Sequence, residues 1–598
     1  MSYQIYFINQ NKKITVDGGK ISAACELAGF PLNLVCGGNG TCGKCRVLIK
    51  GKADENFKEV LACQTEITED MEICLEESDY RQETTVLTKA EPLNIELHPS
   101  VFKKYMKKDE IIEKMRKKNT FFSQTEKVSL SVMQKFSMMN VSLDFIGCTF
   151  VYFNDEIIAV EEGDTTPYCY GVAADIGTTT AAVYIYNLNT GELIATKSAL
   201  NKQTAYGADV ITRNSCVRDN PEMLQKLRDC VIDTLNELLE EARSEYQDLK
   251  ENIYHVVLCG NSTMQHLFYG MNPYFLGVNP FANIIKEEVI VTGRETGLCC
   301  NPNAVVEFLP LLGGFVGADT TSVLLTLTKK DKIYLMVDLG TNGELAVGTF
   351  PKFLAASTAC GPALEGGNIA CGMRGTDGAI EKVSFKNNQL TYKVIGEGTP
   401  QGLCGSAIID AVAELRKAGL IDEKGTLLDP DECRRMNPYS PWIRYLHEAE
   451  EYNMAFYFTE GEHPVYISQK DIRQIQMAKS SICSGCLALL KEAGLTLESI
   501  DYLVLAGAFG NYIDIDNALS IGLLPPVSRE KIISIGNGAG QGVQSFLLDQ
   551  SYRVRAKNIA NNCIHVSLAE NKKFMESYIK NMNFSVDKSL CEIKRNNF

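Results

Sequence analysis

No stretch of this chain is long and apolar enough to span a bilayer, and its first residues, MSYQIYFINQNKK, lack the apolar core of a signal peptide. These absences speak against a membrane protein and set the expectation of a cytoplasmic one. Positive charge is also short: 59 Lys and Arg stand against 74 Asp and Glu, a net charge of −15. That balance argues against nucleic acid as the main partner, because binding to a phosphate backbone rests on Lys and Arg. The six histidines show no HExxH or paired ligand spacing. His266, just after Gly260-Asn261-Ser262-Thr263, reads as structural.

Cysteine is plentiful, with 21 in 598 residues. In a reducing compartment these do not form a disulfide framework. Most, such as Cys148, Cys259, Cys360 and Cys404, sit singly in apolar or glycine-rich runs and read as small buried hydrophobes. Cys483 and Cys486, three apart in a helical pattern, read the same way, since no further ligands lie nearby; the alternative is a second cluster.

Four cysteines stand apart. Cys36, Cys42 and Cys45 share one glycine-rich loop, CGGNGTCGKC, and Cys63 follows in LACQT. Four thiolates, with glycines that let backbone wrap closely, suit a [2Fe–2S] cluster; the spacing is one residue longer in its first gap than the plant-type C-x4-C-x2-C. Zinc also takes four cysteines, but zinc ribbons use two short Cys pairs, which this chain lacks. Around the loop, strand patterns at 2–8 and 12–16, a helix at 21–30 and strands in KCRVLI, EVLACQTEI and MEICLEE give the order of a β-grasp ferredoxin.

The expected domains are a [2Fe–2S] ferredoxin-like domain at 1–82, a linker at 83–93, a middle domain at 94–165 and a two-lobed ATP-binding domain at 166–598. Within the middle domain, 102–119 (FKKYMKKDEIIEKMRKKN) reads as a lysine-rich helix, either a solvated face or a docking patch for an acidic partner. Residues 151–164 suggest a hairpin. From Tyr170 short β-branched runs alternate with helices, an α/β pattern. Residues 221–242 form an amphipathic helix with Leu224, Leu227, Val231, Leu235 and Leu238 on its core face.

An internal repeat carries the second chemical signal. VAADIGTTTAAV, with Asp175, Gly177, Thr178, Thr179 and Thr180, reappears as LMVDLGTNGELAV, with Asp338, Gly340, Thr341, Asn342 and Glu344. Each copy is a strand, Asp-x-Gly-Thr and a second strand. Such a turn brings backbone N–H groups and hydroxyls to phosphate oxygens, and each Asp can hold Mg²⁺. DYLVLAGAFGN adds a small-residue turn at Gly507, Ala508 and Gly510 where an adenosine could lie. Gly361, in ACGPALEGG, is a further point of backbone approach, and Gly536-Asn-Gly-Ala-Gly540 another candidate turn. Gly260-Asn261-Ser262-Thr263 reads as a turn and helix cap, its Ser and Thr either capping alone or touching a ligand. Together these segments resemble the phosphate and adenosine motifs of the actin, sugar-kinase and heat-shock-chaperone superfamily, which implies two ribonuclease-H-like lobes with ATP between them.

With both signals on one chain, the sequence resembles the reductive activators of corrinoid-dependent enzymes over nearly its full length. The resemblance rests on the four cysteines, DIGTTT, DLGTNGE, AYGADVITRN, CGNSTM, ACGPALEGG and LAGAFGNY. It implies an α/β multidomain protein with a [2Fe–2S] cluster, ATP and Mg²⁺ as cofactors. A corrinoid protein, whose Co(II) it returns to Co(I), and an external low-potential electron donor are the implied partners. Asp175 and Asp338 would position Mg²⁺, Thr178, Thr179, Thr341 and Asn342 would hold phosphates, and Glu344 would orient the attacking water. A homodimer is a reasonable expectation. The alternatives are an ATP-driven donor to another metalloenzyme and a redox-regulated kinase, for which no general base is evident.

Overall fold

The computed structural model describes residues 2–30, 32, 40, 45–52, 54, 56–76, 95–123, 125–139, 144–207, 209–246, 248–329, 331–340, 342–449, 453–461, 463–507, 510 and 512–584. Cys36, Cys42, Thr341 and Ala508 lie outside these residues, as does the 83–93 segment.

The first unit is a five-stranded mixed sheet. Its strands are β1 (Tyr3–Phe7), β2 (Lys12–Val16), β3 (Arg46–Gly51), β4 (Lys58–Leu61) and β5 (Met71–Cys74), in the order β2-β1-β5-β3-β4. β1 and β5 run parallel at the centre, and helix Ile21–Leu27 crosses one face. This is the expected β-grasp order. Alternation in YQIYF and RVLIKG puts Ile5, Phe7, Val47 and Ile49 into one core with Ile21 and Cys25 of the helix.

The second unit is a four-stranded sheet in the order β6-β8-β9-β7: β6 (Val101–Lys107), β7 (Lys127–Val128), β8 (Gly147–Phe153) and β9 (Glu156–Glu162). Here the structure corrects the sequence reading. The single lysine-rich helix expected at 102–119 is instead strand β6 followed by helix Lys108–Lys118. β6 pairs with β8 along its whole length, and that ladder overrides the helix-favouring Lys and Met residues. Nor is Lys103 solvated: its buried Nζ lies 2.7 Å from Glu161 and donates to Asn252 at 2.9 Å, while Tyr254 donates to Glu161 at 2.7 Å. These bonds fasten the unit to the next sheet.

From Tyr170 the chain builds two sheets of matching plan. The first has the order β12-β11-β10-β13-β15-β14: β10 (Tyr170–Ile176), β11 (Thr180–Asn187), β12 (Leu193–Leu200), β13 (Ile253–Gly260), β14 (Val289–Thr292) and β15 (Val305–Phe308). The second contains β16 (Tyr334–Leu339), β17 (Gly343–Thr349) and β18 (Lys352–Thr358), with strands Tyr502–Ala506 and Ile532–Ser534 beyond β16 and Ile564–His565 beyond β18. In both, an antiparallel three-strand meander joins parallel strands at its first member. The duplication read from the sequence is therefore a duplication of topology. Helix Met223–Glu245 covers the first sheet with Leu227, Val231, Leu235 and Leu238 buried. Helix Gln469–Glu492 covers the second, and Cys483 and Cys486 are core residues on it.

A buried ion network ties the first lobe to a late helix, Ser551–Asn562. His255 Nε2 lies 2.6 Å from Glu307, Arg553 donates to both Glu307 oxygens, and Arg553 also reaches Glu288 at 3.1 Å. Burial alone would raise the Glu307 pKa, but the bonds and charges of His255 and Arg553 outweigh it and hold it down at about 2. Glu307→Gln should thus cost ~3–5 kcal/mol, because it removes the main carboxylate partner of the buried Arg553 guanidinium. The folded pKa lies below the unfolded value of 4.5, so the network's contribution is complete above that pH and is lost as pH falls toward 2. Thermal melts of both proteins between pH 7 and pH 3 check this: the gap between them should narrow as pH drops below 4.5.

Candidate functional site: an acid-lined cleft and an iron–sulfur loop

The two Asp-x-Gly-Thr turns sit at equivalent ends of β10 and β16. Asp175 is in register with Cys259 on the neighbouring parallel strand, and Asp338 with Ala506. On the antiparallel side Asp175 faces Ala182, and Asp338 faces Glu344. The repeat thus sets an extra carboxylate in one copy only. Each turn closes on itself: Gly177 N–H donates to Thr180 O at 2.9 Å and Gly340 N–H to Asn342 O at 3.1 Å. Thr180 therefore shapes the turn through its backbone. A Cβ on Gly177 would meet Thr180 O at 2.7 Å, so a side chain there would break the turn.

The parallel neighbours end in glycines that press against these turns. Gly507 has φ +87°, and a Cβ there would lie 2.7 Å from Asp338 Oδ1 and from Leu339 O. Gly260 would put a Cβ 2.5 Å from Ile176 O. Gly510 N–H donates to Gly507 O at 3.1 Å and Ser534 Oγ donates to Gly510 O at 3.1 Å, which fixes the turn beyond Ala506. Gly361 has φ +73° with open space where a Cβ would be; its neighbour Cys360 reaches Gly340 O at 3.3 Å.

Asp175, Asp338 and Glu344 come together, and a fourth carboxylate joins them that sequence reasoning missed. Asp319 sits in the first turn of helix Ala318–Thr326, where it accepts from Thr320 N–H at 2.7 Å. Its signal was the glycine cluster GGFVGAD before a helix. Gly317 lets that helix approach, since a Cβ there would lie 2.4 Å from the Asn261 Cα. All four carboxylates are half-buried, deep in protein yet open to the cleft. Burial pushes Asp175 up to about 6, against hydrogen bonds from Asn537 and Cys259. Burial, with the charges of Asp319 and Asp175, pushes Asp338 up to about 7. Burial and Asp175 push Asp319 up to about 7, and burial with Asp319 and Asp338 drives Glu344 well above the carboxylate range. Like charges crowded where water is scarce suit an arriving cation. Among the described residues no three such groups enclose a metal by themselves.

Asn261, and not Ser262 or Thr263, caps helix Ser262–Tyr269. Its Oδ1 accepts from Met264 N–H at 3.0 Å and caps the helix, while its Nδ2 donates to Thr178 Oγ1 at 2.9 Å. Thr178's own hydroxyl proton is thereby directed elsewhere, toward an acceptor. Asn537, from the glycine turn at 536–540, caps helix Gly538–Leu548 and donates to Tyr184 at 3.1 Å. His266 is structural: Nδ1 pairs with Ser262 O at 2.8 Å and Nε2 accepts from Ile284 N–H at 3.2 Å.

In the first unit, Cys45 and Cys63 are both buried, and Ala62 N–H, one residue before Cys63, donates to Cys45 O at 2.8 Å. Gln64 Nε2 lies 3.1 Å from Cys63 O and 3.5 Å from Cys63 Sγ, so an amide donor faces that sulfur. The same side chain packs on Gly40, φ +74°, where a Cβ would be 2.8 Å away. Two buried thiols, a sulfur-directed donor and a glycine-only approach fit a [2Fe–2S] cluster.

Comparison with known proteins agrees. Residues 6–68 match the 2Fe-2S iron-sulfur cluster binding domain, 170–331 the RACo middle region, and 332–593 the C-terminal domain of RACo, the ASKHA domain. The chain is 40% identical over 580 residues to the corrinoid activation enzyme RamQ of Eubacterium limosum, covering 94% of this chain and 96% of that one. It is 22% identical over 449 residues to the [Co(II) methylated amine-specific corrinoid protein] reductase of Methanosarcina barkeri, covering 69% and 77%. A solved reductive activator for corrinoid, iron-sulfur protein superposes with a TM-score of 0.71 at 29% identity, over 97% of this chain and 98% of that one. An iron–sulfur β-grasp unit, a duplicated acid-lined cleft and end-to-end similarity to corrinoid activators converge on one conclusion: the chain belongs to the reductive activators of corrinoid proteins.

Proposed function

We propose that this protein uses ATP to pass one electron from a [2Fe–2S] cluster to the Co(II) of a corrinoid protein, returning it to Co(I). The observation that carries this reading is the presence, on one chain, of the paired cysteines at Cys45 and Cys63 and the four-carboxylate cleft between duplicated turns. The cluster supplies a one-electron relay between an external low-potential donor and cobalt. Cys36, Cys42, Cys45 and Cys63 hold it, and Gln64 directs a donor at one of its sulfurs.

The need for ATP follows from potentials. Plant-type [2Fe–2S] centres lie near about −400 mV, and each ~59 mV of shortfall costs about tenfold in a one-electron equilibrium. ATP shifts such a balance only by binding two states of the protein unequally. Cleft closure supplies that difference. Asp175 and Asp338 position Mg²⁺ from the two lobes, and Asp319 adds charge between them. Thr178, Thr179, Thr341 and Asn342 hold phosphates. Glu344, beside Asp338, orients the water that attacks the terminal phosphate. The adenosine lies along Gly507, Ala508 and Gly510, with Gly361 at the cleft rim.

The test is anaerobic. Cluster-reduced protein is mixed with a Co(II) corrinoid protein and the visible spectrum is followed with and without ATP. Co(I) that forms only with ATP is the expected outcome; its absence with every corrinoid protein tried, alongside phosphate transfer to a small metabolite, would overturn the reading. Asp338→Ala should abolish ATP-dependent reduction while the cluster's visible spectrum stays unchanged.

Asp319→Asn should do two opposite things. Removing one of four mutually repelling carboxylates should raise the thermal midpoint of the nucleotide-free protein at pH 8 by the equivalent of about 1 kcal/mol or more. It should also weaken Mg·ATP binding at least tenfold, as measured by calorimetry. A lower midpoint would show that Asp319 supports the fold instead of straining it.

A further inference from the structure

AYGADVITRN, one of the segments that carries the family resemblance, contains the bulkiest fully buried side chain described, Arg213. Its guanidinium is held by neutral groups. Nε donates to Gly207 O at 2.8 Å, Nη1 to Gln203 Oε1 at 3.0 Å, and Nη2 to Thr178 O. Nη1 also faces Met264 Sδ at 3.6 Å. Among the described residues no carboxylate lies within ion-pair distance. Asp209 is the nearest in charge, but its oxygens accept from Thr212 N–H at 2.8 Å and Thr212 Oγ1 at 3.0 Å to cap helix Val210–Asp219. Burial draws the guanidinium down to about 9, which leaves it charged at neutral pH.

A buried, charged, unpaired Arg is costly unless something offsets it. Its position shows what that is. Arg213 takes the carbonyl of Thr178, while Asn201 takes both neighbours: its Nδ2 donates to Gly177 O at 2.9 Å and its N–H to Thr179 O at 2.8 Å. Three consecutive carbonyls of the first turn are thus pulled into buried donors. In a trans peptide the C=O and N–H point opposite ways. The N–H groups of Thr178 and Thr179 are accordingly turned from the interior toward the cleft, where they make an anion-binding concavity with a positive charge directly behind it.

We infer that Arg213 is a positioning residue for the nucleotide's phosphates: it holds the Gly177–Thr179 turn with its N–H groups outward, and its unpaired charge selects polyphosphate over neutral nucleoside. The inference rests on the ATP-binding reading above, and it adds a residue and a source of selectivity that the Asp-x-Gly-Thr turns alone do not supply.

The test is calorimetric titration of the full-length protein with Mg·ATP, Mg·ADP and adenosine, for the wild type, Arg213→Gln and Arg213→Lys. Arg213→Gln should weaken ATP about tenfold or more, ADP less, and adenosine less than about twofold. Arg213→Lys keeps the charge but cannot span the same carbonyls; it should keep most of the preference for ATP over adenosine while the ATPase KM rises several-fold more than kcat falls. Equal losses for all three ligands would overturn the inference and make Arg213 a plain support of the fold. Should Arg213→Gln fail to fold, Arg213→Lys decides alone: an unchanged ATP affinity and KM, or parallel losses of ATP and adenosine, overturn it. A wild type that binds no ATP would defeat the ATP reading itself, whereas a wild type that binds ATP with variants of unchanged selectivity defeats only this inference.

Discussion

Four carboxylates share one cleft, and much of the molecule exists to hold them there against their mutual repulsion. Asp175 and Asp338 are fixed by ladders on both sides, Asp319 by the close approach of Gly317 to Asn261, and Glu344 by strand pairing opposite Asp338. Each would be easier to ionise at the surface. Burial pushes all four upward in pKa, and neighbouring carboxylates add to the rise at Asp319, Asp338 and Glu344.

The two lobes are alike in plan and unlike in chemistry. Both copies of the repeat put an Asp at a strand end beside a glycine-terminated parallel neighbour, which lets the neighbouring backbone press close to the turn in either. Only the second copy places a carboxylate opposite its Asp; the first has Ala182 there. Conversely, the first turn is backed by Asn201, Asn261 and a buried arginine. The first turn is thus braced from behind by buried donors, while the second faces an additional carboxylate. Such a division suits a nucleotide held between halves that must act differently on it.

The iron–sulfur unit obeys separate physics. Its core is small and built by strict alternation along short strands, so its fold was legible in the spacing of a few hydrophobic residues. Cysteine spacing in a glycine-rich loop likewise declared its chemistry without any tertiary information. Gln64 did not stand out in the sequence; the geometry gives it meaning because its amide reaches back to Cys63 Sγ.

The sequence by itself determined the elements whose signal is local: the β-grasp alternation, the cysteine loop, the amphipathic stripe of helix Met223–Glu245 and the repeated turns with their aspartates. Local signal misled at 102–119, where Lys and Met favour helix but pairing with β8 makes residues 101–107 a strand. Only tertiary structure could settle that, since a ladder's energy comes from a partner more than 40 residues away in the chain. It alone also brought Asp319 to Asp175 and set Arg213 behind Thr178. The physical reason is the same in each case. A charge in isolation is merely polar, and what it does depends on which other charges and carbonyls folding places beside it, out of water.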